Sequence, residues 1–303
     1  MRILFFGTPE FAATSLELIA KEGFNVVGVV TAPDKPAGRG RHLKSSEVKV
    51  SAEKLNIPIF QPTNLKSEDF LHEINRLNID LGVVIAFRML PMQIWSAPKL
   101  GTINLHASLL PNYRGAAPIQ HAIIQGEIKT GVSTFFLKHE IDTGDLIDQQ
   151  EVEIEENETG GSLHDKLMQV GSQLMIQSLR KIEAFGNLTP TFPQIYSEEL
   201  KMASKISRDF CKIDTNQTAV EIHNKIRGLS PYPAAWIESE LGELKIYASK
   251  IVLEPLKNES HDAIFIENKK LYIECRNSFL EIIELQPQGK QRMSAISYLN
   301  GLR

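Results

Sequence analysis

Apolar and polar positions alternate along this chain in two different rhythms, and the change between them divides it. In the first part, short runs rich in Val, Ile, Leu and Phe recur between longer amphipathic stretches: Arg2 to Phe6, Val26 to Thr31, Leu81 to Ala86, Gly101 to His106 and Val132 to Leu137. Runs so short and so uniformly apolar predict strands covered on both faces by helices. The stretches between them, such as Ser46 to Leu55 and Glu68 to Leu77, have the pattern of helices packed by one face. Thr8 and Pro9, just after Gly7, predict a helix start with Thr8 as its N-cap and Pro9 in the first turn. The expectation is an α/β domain with a doubly wound, mostly parallel sheet, a fold that binds ligands beyond the carboxyl ends of its strands.

The rhythm changes after about residue 185. Gly186 to Pro193 reads as a linker, followed by a polar stretch holding Lys201, Lys205 and Arg208. Residues 218–228 predict one amphipathic helix. From Ala234 the segments become short and alternating, namely Trp236–Glu238, Leu244–Tyr247, Ile264–Ile266, Leu271–Cys275 and Leu280–Leu285, separated by Asn, Gly and Lys turns. That spacing predicts a small antiparallel sheet or barrel. The division expected is 1–188 for the first domain, 189–207 for a linker and 208–303 for the second.

Composition changes the picture in three ways. With 303 residues, 42% hydrophobic and 23% charged, the chain is globular, which excludes a disordered or fibrous protein. No apolar run approaches the ~18 residues of a membrane span, and the run opening at Met1 is too short for a secretory leader, so a cytoplasmic protein is expected. Two cysteines, Cys211 and Cys275, are too few for a disulfide framework or a four-cysteine metal site. Lys and Arg number 33 against 37 acidic residues, a net charge of −4, so any nucleic acid must be bound through local patches.

The first strand-to-helix loop is not a dinucleotide site. That fingerprint needs three glycines, whereas Gly7-Thr8-Pro9-Glu10 offers one, and Pro9 removes an amide donor. Chemistry gathers instead in Gly101 to Pro111. Residues two apart on a strand face one side, so Asn104 and His106 project together near its carboxyl end. Asp142, after the next apolar strand, is expected to reach the same end of the sheet. A carboxylate there favours the imidazolium and fixes the ring, while Asn104 steadies a developing oxyanion. Such parts suit transfer of a carbonyl-level one-carbon unit to an amine, itself the nucleophile. Residue by residue the reading stays open: His106 can be a structural hydrogen-bonder, Asp142 an Asx-turn former and Asn104 a partner for buried backbone.

Three segments in order carry more weight than spacing. Asn-Leu-His-Ala-Ser-Leu-Leu-Pro (104–111), Tyr-Arg-Gly-Ala-Ala-Pro-Ile-Gln (113–120) and Ile-Asp-Thr-Gly-Asp (141–145) resemble the folate-dependent formyltransferases. Phe-Gly-Thr-Pro-Glu-Phe-Ala (6–12), Pro-Asp-Lys-Pro-Ala-Gly-Arg-Gly (33–40) and Gln-Pro-Gln-Gly-Lys-Gln-Arg-Met-Ser-Ala (286–295) extend the likeness to both ends, toward the branch that formylates initiator methionyl-tRNA. The resemblance implies a Rossmann-like formyltransferase domain, a linker and a C-terminal OB-like β-barrel. It also implies 10-formyltetrahydrofolate as co-substrate, no metal, and a monomer that needs no membrane. On this sequence Asn104, His106 and Asp142 take the catalytic positions. Ser108, Leu109, Leu110 and Pro111, with Phe87, Met89 and Leu90, take the folate positions. One departure stands out: Ala86-Phe87-Arg88-Met89-Leu90-Pro91 is about one residue shorter than the family's loop and places Arg88 where glycine is expected.

The loop from Pro33 to Lys44 holds Lys35, Arg39, Arg41, His42 and Lys44 against a single acid, Asp34. A charged loop is commonly just a solvated one; by resemblance this one is expected to approach the acceptor end of tRNA through Arg39, Arg41 and Lys44. From residue 208 onward 13 basic and 13 acidic residues cancel, so tRNA contact in the second domain is expected from clusters containing Lys205 and Lys290 with Arg292. The competing readings are a formyltransferase acting on an amino-sugar nucleotide and a non-catalytic RNA-binding protein. The basic 33–44 loop and the late Gly-Lys-Gln-Arg-Met-Ser-Ala run favour tRNA over sugar, and the three retained catalytic side chains disfavour a mere binder.

Overall fold

The computed structural model describes every residue except 38–41, 197–198, 241, 255, 257–261 and 303. Seven strands form one sheet in the spatial order Leu146–Glu153, Lys129–Phe136, Thr102–His106, Leu81–Ile85, Arg2–Gly7, Asn25–Val30, Ile59–Phe60. The strand Arg2–Gly7 pairs in parallel with Asn25–Val30 on one side and Leu81–Ile85 on the other, so the winding reverses there. Ile3, Leu4, Phe5 and Phe6 are all at most 1% exposed, which is why this strand carries no polar residue after Arg2. Burial of each such side chain contributes roughly 1.5–3 kcal/mol.

The expected strands and helices are all present, most within a residue or two of the expected ends; the exceptions are Lys129–Phe136, which begins three residues before Val132, and Gly242–Val252, which runs five residues past Tyr247. The helix expected over Ser46 to Leu55 spans Glu47–Lys54, with Ser46 accepting from the Lys49 amide at 3.1 Å as N-cap. The next spans Glu68–Arg76. The first helix departs from expectation: it spans Glu10–Lys21 and its N-cap is Pro9, not Thr8. The Pro9 carbonyl accepts from the amides of Ala12 and Ala13 at 2.9 and 3.1 Å, so the helical ladder begins one residue later. A second departure matters more for the site. The strand Lys129–Phe136 runs antiparallel to Thr102–His106, placing Phe136 opposite Ile103 and Ser133 opposite His106.

A 26-residue helix, Gly160–Phe185, brings Gly171 against Leu105 and Val132 of the sheet. The chain resolves into two compact units that are not single stretches. One comprises Met1–Arg114, Gly131–Val152 and Asp165–Lys201; the other comprises Gly115–Thr130, Glu153–His164 and Met202–Arg303. In the second unit an antiparallel, barrel-like sheet runs Ala235–Ser239, Gly242–Val252, Phe279–Pro287, Lys270–Glu274, Ile264–Glu267, and Met293–Ser294 adds to Phe279–Pro287. The helix Ala219–Leu229 packs on this sheet and on the helix Pro118–Ile124. Its start is a capping box, in which Thr218 and Glu221 satisfy each other's backbone amides. Cys211 and Cys275 lie in the core of this unit, and burial pushes the Cys275 thiol up to about 12. Among the described residues no helix is long and apolar enough to cross a membrane.

His223, on the helix Ala219–Leu229, has its Nδ1 3.0 Å from Ser249 Oγ and is held below the usual imidazole range, first by burial and then by Arg227. The unfolded chain therefore binds a proton here before the folded one does, so stability falls as pH drops through about 6.5 and levels off below the folded value. His223→Gln should flatten this acid-side loss of thermal stability, measured by melting between pH 5 and 7.5. An unchanged slope would place the acid sensitivity elsewhere.

Candidate active site

Asn104 and His106 both leave the strand Thr102–His106 on one side, as their spacing requires. Asn104 is half-buried, and among the described residues nothing hydrogen-bonds its amide. His106 is 7% exposed, with Nε2 2.8 Å from the Tyr113 carbonyl. A carbonyl only accepts, so Nε2 carries a proton and the neutral ring keeps its lone pair on Nδ1. Nδ1 faces the Asp142 carboxylate at 3.9 Å. The ring nitrogen left to face Asp142 is thereby assigned by the backbone of the segment that follows the strand.

Asp142 arrives by a route the sequence did not suggest. Its strand ends at Phe136 beside Ile103, the wrong end of the neighbouring strand, and Leu137 donates its amide to the Thr102 carbonyl at 2.7 Å. Reaching His106 means returning about 10 Å along the sheet, three residues at strand rise. Residues 137–145 make that return, with Asp142 itself at φ +54°. The return ends where the Phe136 amide donates to the Asp145 carbonyl at 3.1 Å, and Gly144 lies flat on the same strand. A Cβ at 144 would stand 1.6 Å from the Phe136 carbonyl oxygen, so only glycine fits. The glycine of Asp-Thr-Gly is thus a requirement of backbone packing.

The loop after His106 is fixed by one hydroxyl. Ser133 Oγ, fully buried, donates to the Ser108 carbonyl at 2.6 Å and accepts from the Leu110 amide at 3.1 Å and from Gln149 Nε2 at 2.8 Å. Ser108 Oγ donates to the Asn112 carbonyl at 2.7 Å. Ser108 and Leu110 are buried, whereas Leu109 and Pro111 are half-exposed. In the loop after Leu81–Ile85, Leu90 is buried, Phe87 half-buried, and Met89 74% exposed. Leu137 packs against both the cluster holding Phe87 and Leu90 and the one holding Leu110, so these loops adjoin. A cavity of about 460 Å³ opens beside the Phe87 loop at the carboxyl ends of the central strands, lined by Thr8, Pro33, Lys35, Thr63, Phe87 and Arg88. Arg88 turns toward the 60s segment, donating to the carbonyls of Pro62 and Thr63 with its guanidinium carbon 5.7 Å from the Phe87 ring.

The basic residues are spread over both units. Lys35–Ala37 and His42–Lys44 pair as a short antiparallel ribbon, while Arg39 and Arg41 lie outside the described residues. Lys44 is exposed and paired to Glu47 at 3.1 Å. Asp34, the one acid of that loop, is held below the usual carboxylate range by Lys49 at 2.5 Å and then by Gln61 at 2.9 Å. In the second unit Lys205 and Lys290 are exposed, but Arg292 donates through Nε and Nη2 to Glu284 at 2.7 and 2.5 Å and lies 4.3 Å over the Tyr247 ring. Sequence reasoning gave no role to two side chains of the first unit, although one of them, Arg114, lies within the 113–120 run that carries the family resemblance. Gln194 donates to the carbonyls of Asp142 and Gly144, and Arg114 donates to Gln194. Nothing periodic marks either residue.

The family model for formyl transferase matches residues 1–179, and that for the formyl transferase C-terminal domain matches 205–303. The chain is 49% identical over 306 residues to the methionyl-tRNA formyltransferase of Flavobacterium johnsoniae, covering 100% of this chain and 96% of that protein. It is 45% identical over 315 residues to that of Parabacteroides distasonis, with 100% and 96% covered. Among solved structures, the sugar 3N-formyl transferase WlaRD superposes with a TM-score of 0.69 at 22% identity, over 96% of this chain and 99% of that one. HypX from Aquifex aeolicus superposes with a TM-score of 0.64 at 18% identity in its complex with tetrahydrofolic acid, over 99% of this chain and 47% of that one. These two likenesses are of fold.

Gly144→Ala should force the return loop off Phe136 and destabilise the first unit by about 2–3 kcal/mol. Urea unfolding followed by fluorescence measures it, and a change under about 0.5 kcal/mol would show the loop to be freely displaceable.

Proposed function

The chain belongs to the formyl transferase family, and from that footing we propose that it transfers the formyl group of 10-formyltetrahydrofolate to the α-amino group of methionine on initiator tRNA. The observation that carries the reading is the placement of His106 Nδ1 beside Asp142, on the side of the strand where, among the described residues, nothing hydrogen-bonds the Asn104 side-chain amide. The folate suits the residues present: Met89 is exposed apolar surface beside buried Leu90, and the adjoining loop of Ser108, Leu109, Leu110 and Pro111 is held rigid from beneath by Ser133. Phe87 shares that wall. When bound, the folate supplies a formyl group already at the carbonyl level of oxidation.

The protein's part is positioning and proton handling. Asn104 donates its amide hydrogens to the formyl oxygen as negative charge builds there. His106 binds a proton at Nδ1, with Nε2 committed to Tyr113, and the imidazolium so formed steadies the same charge. Asp142 stabilises that imidazolium while the amine nitrogen bonds the formyl carbon. The bond from that carbon to the folate nitrogen then breaks, and the proton the amine gave up to His106 Nδ1 passes to that nitrogen, releasing tetrahydrofolate. Residues 1–188 act as the formyltransferase domain, 189–207 as linker and 208–303 as the tRNA-binding barrel. Arg39, Arg41 and Lys44 serve the acceptor end, and Lys205, Lys290 and Arg292 serve the body of the tRNA. The protein works as a cytoplasmic monomer.

Purified protein should formylate methionyl initiator tRNA in preference to methionyl elongator tRNA and to an amino-sugar nucleotide offered in parallel. Formylation of the sugar alone would overturn the assigned acceptor. Asp142→Asn should lower kcat by about 10²–10⁴-fold with folate binding retained; near-normal turnover would remove Asp142 from the mechanism. Lys290→Glu should weaken tRNA binding and reduce the slope of log affinity against log salt by about 1. An unchanged slope would exclude a phosphate contact there.

A further inference from the structure

We propose that Gln194 and Arg114 are positioning residues that hold the Asp142 loop in its working conformation, so that a linker side chain sets the aim of the carboxylate at His106. The proposal rests on the reading of Asp142 as the partner of His106. The loop needs outside support. Asp142 sits in the left-handed region at φ +54°, a conformation unfavourable for a residue with a Cβ. Within the loop, Thr143 Oγ1 bonds the Glu140 carbonyl at 2.9 Å, which closes the turn without tying it to the sheet.

Gln194 supplies the tie. It is 6% exposed, and its Nε2 donates to the Asp142 carbonyl at 2.8 Å and to the Gly144 carbonyl at 2.9 Å. One amide thus brackets the loop, fixing the peptide planes that follow Asp142 and Gly144. The amide cannot be reversed, because both carbonyls only accept, and its oxygen accepts from Arg114 Nη2. Arg114 is 7% exposed, with its guanidinium carbon 4.8 Å from the Tyr196 ring and Nη2 3.1 Å from Tyr196 Oη, while its buried Nε has no hydrogen-bond partner among the described residues. A buried cation keeping an unsatisfied donor is an expensive way to fill space, and what it secures is the orientation of Gln194. The register is set next door, where Leu146 and Phe192 exchange backbone hydrogen bonds at 2.8 and 2.9 Å and seat the linker along the return loop.

The test is a double-mutant cycle between Gln194 and Asp142. Gln194→Leu should lower kcat for formyl transfer about 10- to 100-fold, leave KM for 10-formyltetrahydrofolate within about 2-fold and displace the pH profile of kcat. Gln194→Glu should do no better, since a carboxylate oxygen would then face two carbonyls; Gln194→Asn, which keeps the amide on a shorter stem, should fall between. In an Asp142→Asn background, Gln194→Leu should cost less than about 2-fold more, because the clamp acts through Asp142. Hydrogen exchange at the amides of 140–145 should quicken in Gln194→Leu. Wild-type turnover in Gln194→Leu, or full additivity with Asp142→Asn, overturns the proposal. Absence of formyl transfer by the unmodified protein would instead sink the functional reading, with loop exchange still deciding whether Gln194 holds the loop.

Discussion

The strand Thr102–His106 has a parallel neighbour on one side and an antiparallel neighbour on the other, and the site depends on that mismatch. A parallel neighbour would deliver the next loop to the carboxyl end unaided. The antiparallel one delivers it to the amino end, so the segment that carries the acid must travel back over the sheet. Backbone lying on backbone is tolerable there only without a Cβ, which is what Gly144 provides. His106 meets the returning carboxylate with the correct nitrogen because Tyr113 has claimed the other. Strand direction, one glycine and one carbonyl together determine where a proton can sit.

Elements with their own periodicity were legible in the sequence: the buried strands, the helices Glu47–Lys54 and Glu68–Arg76, and the alternating segments of the C-terminal sheet. A cap was less so, because Thr8 and Pro9 compete for one position and the geometry of Pro9 decided it. Asp142 does come to lie beside His106, but by a return loop and not at the end of a parallel strand, since residue order says nothing about parallel or antiparallel pairing. The segments Gly115–Thr130 and Glu153–His164 pack with the later part of the chain, and an amphipathic stretch does not announce which core it will join. Gln194 and Arg114 are 80 residues apart and meet through polar contacts alone, so no local pattern could have joined them.

Charge on this surface is largely spoken for. Glu284 engages Arg292 through two hydrogen bonds, and Glu47 engages Lys44. Asp34 is absorbed by Lys49, which spares the basic loop its only acid. A polyanion meeting this protein therefore encounters fewer free cations than the count of Lys and Arg implies, and Lys290 weighs more than its neighbour. This accords with a net charge that is slightly negative.

Cys211 and Cys275 are sealed in the core of the second unit, and a thiol raised to about 12 presents almost no thiolate at neutral pH. Formyl transfer moves no electrons, so nothing in the chemistry calls for a reactive sulfur. Sulfur does reach the surface elsewhere, in the thioethers of Met89, Met92 and Met202. An oxidant approaching this fold meets methionine before cysteine. The damage it can do is a sulfoxide at Met89, a polar group on the apolar lip beside Leu90, of a kind that methionine sulfoxide reductases reverse.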